Sequence, residues 1–183
     1  SDVKDDSFPV APVNWFESQQ FVLRLSYLTG VMFSLPTEAQ WEYAARGGEK
    51  SHGTVFAGSN TFSEVGWSDY KHPVGMKKPN ELGIYDMSGL VREWCSGLYG
   101  HYPDTLQVDP TGPAEDSPLI IRNTEDRLCR AVRSPYGNET VTNRKGETPE
   151  LDKEFKSYGL RIACLEIPKK AEQEDTAAVI PPK

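Results

Sequence analysis

The chain has little of what several common functions require. It has three cysteines in 183 residues (Cys95, Cys129 and Cys164). An odd and small number of thiols excludes a disulfide scaffold and leaves at least one cysteine unpaired. It has three histidines, His52, His72 and His101, scattered without the regular spacing that brings imidazoles onto one metal. Basic residues are outnumbered, 20 Lys and Arg against 27 Asp and Glu, for a net charge of −7 and a pI near 5.0. Phosphate backbones need a basic surface, so nucleic acid is not an expected partner. No apolar run approaches the ~20 residues of a membrane span. No P-loop and no Ser-His-Asp arrangement appears. The chain opens on the polar run Ser1-Asp2-Val3-Lys4-Asp5-Asp6, in which no signal peptide is legible.

Two helices can be read from their start and stop signals. Asn14 and Glu17 have capping-box spacing, with Asn in place of Ser or Thr. Phe21, Val22, Leu25 and Leu28 then recur at helical spacing, and Gly30 stands where a left-handed cap is wanted. After a short predicted strand, Met32–Leu35, Thr37 and Gln40 form a second capping box, and Glu38 suits the positive end of the helix dipole. That helix is expected to run through Ala45 and stop at Gly47-Gly48. Glu38 and Glu42, one turn apart, are read as a dipole-favoured first turn with a core salt bridge.

From Glu49 to Pro118, Gly, Pro, Asn, Asp and Ser recur every few residues. This stretch reads as long loop with short strands, pinned by Phe56, Trp67, Tyr85 and Trp94. Leu119–Arg122, Cys129–Arg133 and Tyr158–Cys164 read as strands, the last closing the fold. Gly137–Lys156 is polar and is expected to be a mobile excursion. The expected organisation is a disordered lead-in over 1–9, a single domain over 10–168 and a tail or linker over 169–183.

Two blocks narrow the field. One is Leu35-Pro36-Thr37-Glu38-Ala39-Gln40-Trp41-Glu42-Tyr43-Ala44-Ala45-Arg46-Gly47-Gly48. The other is Leu82-Gly83-Ile84-Tyr85-Asp86-Met87-Ser88-Gly89-Leu90-Val91-Arg92-Glu93-Trp94-Cys95. With Pro12-Val13-Asn14-Trp15, Asp109-Pro110-Thr111-Gly112-Pro113 and Gly159-Leu160-Arg161, they resemble the sulfatase-modifying-factor domain of formylglycine-generating enzymes. The resemblance implies an α+β, C-type lectin-like fold with two helices, short twisted antiparallel strands and long irregular loops. There are three departures. Only about eleven residues precede Pro12-Val13-Asn14-Trp15, where the family usually supplies N-terminal strands. The family's Arg-Gly-Gly-Ser-Trp strand is replaced by the polar Asn123-Thr124-Glu125-Asp126 after Arg122. The pair of copper-binding cysteines that follows that strand in the oxidases has no counterpart.

Copper(I) is a soft ion that takes thiolates, and one thiolate cannot hold it linearly. Copper is therefore not expected, and a copper-dependent oxidase converting a sulfatase cysteine to formylglycine stands as the alternative function. The three cysteines read as small buried hydrophobes, with a Cys129–Cys164 bridge as the other reading. The resemblance also implies calcium, a hard ion served by carboxylates and backbone carbonyls, held by Ser88, Gly89, Val91 and Glu93. A second site would use Asn60, Thr61 and Asp69. Against the first stands a plain ion pair of Glu93 with an arginine such as Arg92 or Arg46.

The first expectation for function is a non-catalytic binding or structural module that recognises a protein or glycan through its loop face. Tyr99, His101, Tyr102, Tyr136 and Asn138 are its candidate contacts. The family's surface lipoproteins imply a bacterial cell-envelope or surface location. A third reading makes this chain part of a larger polypeptide or assembly that completes its core, in which case apolar surface should be exposed.

Overall fold

The computed structural model describes residues 6–134, 140–150 and 157–165. The first helix, α1, spans Trp15–Thr29, and its cap is the one the spacing predicts. Asn14 Oδ1 accepts from the Glu17 amide at 2.9 Å, and Glu17 Oε2 accepts from the Asn14 amide at 2.8 Å. Gly30 ends the helix in the left-handed conformation (φ +70°), which costs glycine little. The apolar residues at helical spacing do not all face the core. Val22 is buried, but Phe21 and Leu28 stand 52% and 68% exposed. The inner face instead carries Ser18 and Val22. The Ser18 and Ser26 hydroxyls donate to helix carbonyls four residues back, those of Asn14 and Val22. A serine satisfied this way can pack where an apolar residue is expected.

The short strand β1 (Phe33–Ser34) leads to α2 (Glu38–Ala45), which opens with the predicted Thr37–Gln40 box at 3.1 and 2.9 Å. A 3-10 turn (Gly48–Lys50) and a one-turn helix, α3 (Phe62–Val65), follow. Strands β2 (Gly66–Trp67) and β3 (Ser88–Gly89) pair in parallel. The main sheet is built from β4 (Arg92–Leu98), β5 (Arg130–Arg133), β6 (Lys145–Glu147) and β7 (Tyr158–Leu160), in the order β6-β5-β4-β7. The β4–β5 and β5–β6 pairs are antiparallel, and β4–β7 is parallel. Strand β8 (Ala163–Cys164) pairs with β1.

Four strand expectations are corrected. The longest strand among the described residues, β4, lies inside the stretch read as long loop with only short strands. Its Ser96-Gly97 and neighbouring glycines look like turn residues, but Gly97 packs so tightly on the Thr111 carbonyl that a Cβ would clash. Leu119–Arg122 is no strand and makes only isolated bridges, Ile120 to Gly100 and Arg122 to Leu128. The closing strand breaks at Arg161-Ile162 into β7 and β8, which join different sheets. The expected excursion contains β6 and a core residue, Val141 at 2% exposure. Of the lead-in, Ser7 is tied to the body by the Val74 amide, which donates to its carbonyl at 2.8 Å.

The sheet separates two packed clusters, as alternation along its strands requires. Cys95 and Ala131 face one cluster with Trp41, Ala45, Ala57, Met87 and Val141. Trp94 and Val132 face the other with Val22, Leu35 and Tyr158. Three indoles are pinned by donation into the body. Trp15 donates to the Cys95 carbonyl and Trp94 to the Val13 carbonyl, both at 2.9 Å, and Trp41 donates to Glu93 at 2.6 Å. Among the described residues no disulfide forms; Cys95 and Cys129 are buried and Cys164 is exposed. The Cys129–Cys164 bridge is therefore corrected: β8 pairs with β1, away from the sheet that Cys129 borders.

Candidate functional site

Helix α2 lies on β4 and β5 and turns two carboxylates toward buried cations. Arg133 has no exposed side-chain surface. It donates to Glu38 at 3.1 Å, to Glu42 at 2.8 Å and to the Val141 carbonyl. Arg144 forks onto both oxygens of Glu38 at 2.6 and 2.5 Å and donates to the Gly100 carbonyl at 2.7 Å. Arg46 adds a pair to Glu42 at 2.8 Å. Burial works against ionisation of Glu42, but the Arg133 and Arg46 contacts outweigh it and hold its carboxyl below the usual range. The core salt bridge read for Glu38 and Glu42 is thus present, with Arg133 and Arg144 as the partners that the sequence did not reveal.

The outer side of this network is a cleft of about 860 Å³, within the ~300–1,000 Å³ of ligand pockets. One wall is the face of α2 with Glu42, Tyr43 and Arg46. The other is the 100–113 segment, arched over α2. The Arg144 guanidinium lies 4.7 Å from the Tyr99 ring centre and 4.0 Å from that of Tyr102, close enough for cation–π attraction. The structure therefore brings Tyr99, His101 and Tyr102 to one place, with His101 and Tyr102 lining the cleft. Burial, with the Glu38 charge nearby, pushes the Tyr102 phenol up. Leu106 and Val108, 94% and 84% exposed, also line it. Sequence reasoning missed both; their only signal was aliphatic character inside a turn-rich stretch. Tyr136 and Asn138 lie outside the described residues.

The turn expected to hold calcium is fixed by several protein contacts. Glu93, 3% exposed, accepts from Arg161 through both oxygens at 2.8 and 2.9 Å, and from the Trp41 indole. The expected ion pair with an arginine is present, and the arginine is Arg161 rather than Arg92 or Arg46. The Ser88 hydroxyl accepts from the Ala57 amide, and the Gly89 carbonyl accepts from the Ser134 hydroxyl. Val91 is buried. Gly89 is held at φ +87°, against the Trp67 carbonyl. Calcium takes six to eight oxygens; of those expected to hold it, the Gly89 carbonyl and the Glu93 carboxylate already accept hydrogen bonds from the protein, with the Arg161 guanidinium beside Glu93. One oxygen is different. Asp86 Oδ1 is buried without a partner, on a residue at φ +59°. Burial raises the Asp86 carboxyl, against the Gly75 amide and Arg161, which stabilise its charge.

The second set is also engaged locally. Asn60 accepts from the Val55 amide, the Thr61 carbonyl from the Glu64 amide, and Asp69 from the Lys71 amide. Asp69 also faces His72 at 3.4 Å. Among the described residues, no three His, Cys, Asp or Glu side chains converge on one point. Cys95 is sealed in the core, and burial pushes its thiol well up. Burial also raises Cys129.

Residues 2–163 match the sulfatase-modifying factor enzyme 1-like domain. The chain is 43% identical over 95 residues to the chaperone protein LppX of Paenibacillus barcinonensis, covering 40% of this chain and 34% of that protein. It is 29% identical over 178 residues to the formylglycine-generating enzyme of Streptomyces coelicolor, covering 85% and 52%. The chain thus spans about half or less of these two relatives' length. Among solved structures, Treponema denticola variable protein 1 superposes with a TM-score of 0.69 at 24% identity, over 90% of this chain and 74% of that one. With the domain matched over nearly all of the described residues and the α+β, C-type lectin-like architecture in place, the chain belongs to the sulfatase-modifying factor enzyme 1-like family.

Proposed function

We propose that this domain is a binding module that takes a polypeptide or glycan segment in the cleft between α2 and the 100–113 arch. The observation that carries this reading is the cleft itself: a rigid wall, braced from behind by the buried Glu38–Arg133–Arg144 network, faces an arch with two aliphatic side chains almost wholly in water. Rigid scaffolds that present irregular loops commonly carry recognition. Burying Leu106 and Val108 against a ligand would contribute about 1.5–3 kcal/mol each. The oxidase reading draws no such support, since the thiols are separated and two of them are buried with raised pKa. The test is a paired peptide-library and glycan-array screen with the 183-residue chain, repeated with Leu106→Asp. Ligands lost in the variant support the cleft; ligands kept at full strength place binding elsewhere.

A second reading concerns the outer surface of α1. Phe16, Phe21, Tyr27 and Leu28 of α1 are 45–86% exposed. Phe21 also borders a cavity of about 760 Å³ with Val10, Val74, Tyr85 and Ile162. Large apolar side chains left this exposed beside an apolar cavity are the mark of a contact surface. We infer that it is covered by another polypeptide segment, part of a longer chain or of an assembly. Strong binding of an apolar dye by the 183-residue chain, quenched when Phe21→Lys is introduced, would support this; no dye binding would end it.

A further inference from the structure

We propose that the cavity beside α1 seats a basic side chain, a lysine or arginine carried on an apolar polypeptide segment. This rests on the reading that another segment covers the outer surface of α1, and it names what that segment must carry. The cavity holds about 760 Å³, inside the ~300–1,000 Å³ of ligand sites. Its walls are largely apolar: Val10 and Val13 precede α1, Phe21 stands on it, and Leu160 and Ile162 flank Arg161. The charged side chains that line it are Glu17, Asp86, Glu93 and Arg161.

The charge of this lining does not balance. Among the described residues that line the cavity, Arg161 is the only cation, and it is taken up by Glu93, meeting both carboxylate oxygens at 2.8 and 2.9 Å. That pair cancels and leaves two acids. Asp86 accepts the Gly75 amide through Oδ2 at 2.7 Å, and Glu17 accepts the Asn14 amide at 2.8 Å. Among the described residues, neither carboxylate is ion-paired with a cationic side chain. The Gly75 amide and the charge of Arg161 favour the ionised form of Asp86, yet burial outweighs both and holds its carboxyl above the usual range. An unaccompanied negative charge is thus disfavoured here, and a cation seated in the cavity would stabilise it through a medium that screens poorly.

Lysine and arginine suit both halves of the site. Their aliphatic stems pack on apolar walls while the charged head reaches a carboxylate. An acidic side chain would add a third uncompensated charge, and a purely apolar one would leave both acids as they are. The net charge of −7 also draws basic partners from a distance. Phe21 belongs to both the cavity and the exposed face of α1, on which Leu28 stands two turns further along, 68% exposed. The contact surface therefore extends past the cavity, which suits a polypeptide segment better than a small free amine.

The test is competition for the neutral dye Nile red bound to the 183-residue chain. The competitors are three tripeptides blocked at both ends, acetyl-Leu-Lys-Leu-amide and its Gln and Glu counterparts, in which the central side chain carries the only charge. The expected order is Lys tightest, at least fivefold over Gln, with Glu weakest. In the double variant Asp86→Asn with Glu17→Gln the Lys and Gln peptides should come within twofold of each other. Both substitutions keep the fold: glutamine preserves the capping box, and asparagine removes a carboxylate whose charge burial disfavours. No dye binding would end the reading of a covered surface and this inference with it. Dye displaced equally by all three peptides, or by none, keeps that reading and overturns this one, as does a Lys preference that survives in the double variant. Butylammonium competing as well as the Lys peptide would assign a free amine and overturn the polypeptide source.

Discussion

Replacing Glu93 by glutamine tests whether this turn is an ion-pair hinge of the core. Glutamine keeps the size of the side chain and removes its charge. The lost carboxylate is 3% exposed and takes three hydrogen bonds, two from Arg161 and one from the Trp41 indole. Breaking a buried pair by neutralising one partner costs about 3–5 kcal/mol, because the other charge stays uncompensated. Arg161 retains 27% of its side-chain exposure, so part of its charge can be hydrated and the lower end applies, roughly 3 kcal/mol. At about 2–4 °C per kcal/mol for a domain of this size, the midpoint should fall by roughly 6–12 °C. Urea unfolding followed by tryptophan fluorescence reads the change directly, since Trp41 and Trp94 are buried. The double variant Glu93→Met with Arg161→Met should recover part of the loss, as apolar replacement of a whole buried pair is often near neutral. Calcium should leave the wild-type midpoint unchanged, because Arg161 already neutralises the carboxylate. A loss below about 1 kcal/mol for Glu93→Gln, far short of the broken-pair cost, would refute this reasoning, and so would a calcium-dependent rise in the midpoint.

Arg133→Met should destabilise the fold by about 3–5 kcal/mol in the same assay, since it leaves Glu38 and Glu42 turned inward with fewer partners. Asp86→Asn should stabilise the protein at pH 7. The native carboxyl titrates above its unfolded value, so its favourable contribution is present below the unfolded pKa and is lost as pH rises through the native one. Wild type and variant should therefore converge below about pH 3.5, under the ordinary Asp value, and a constant difference across pH would contradict this. Leu106→Asp and Val108→Asp should change stability by no more than about 0.5 kcal/mol, because both side chains already stand in water. Iodoacetamide should label Cys164 in the native protein and Cys95 only after denaturation, as intact-mass spectrometry would show.

The sequence by itself determined the family and both helix starts. The two capping boxes are local, closing over three residues, and Thr37–Gln40 and Asn14–Glu17 form as their spacing says. It also carried the Glu38–Glu42 pair and the cluster of Tyr99, His101 and Tyr102. What it could not show is decided by contacts distant in the chain. The central strand β4 was hidden among turn residues because its pairing comes from Arg130–Arg133 and Tyr158–Leu160. The partner of Glu93 is 68 residues away, at Arg161. Arg144 reaches 106 residues back to Glu38. Charge pairing in a low-dielectric interior follows distance in space, and nothing in the local sequence marks which arginine will be near. Only the tertiary structure placed Leu106, Val108 and Arg144 around one cleft.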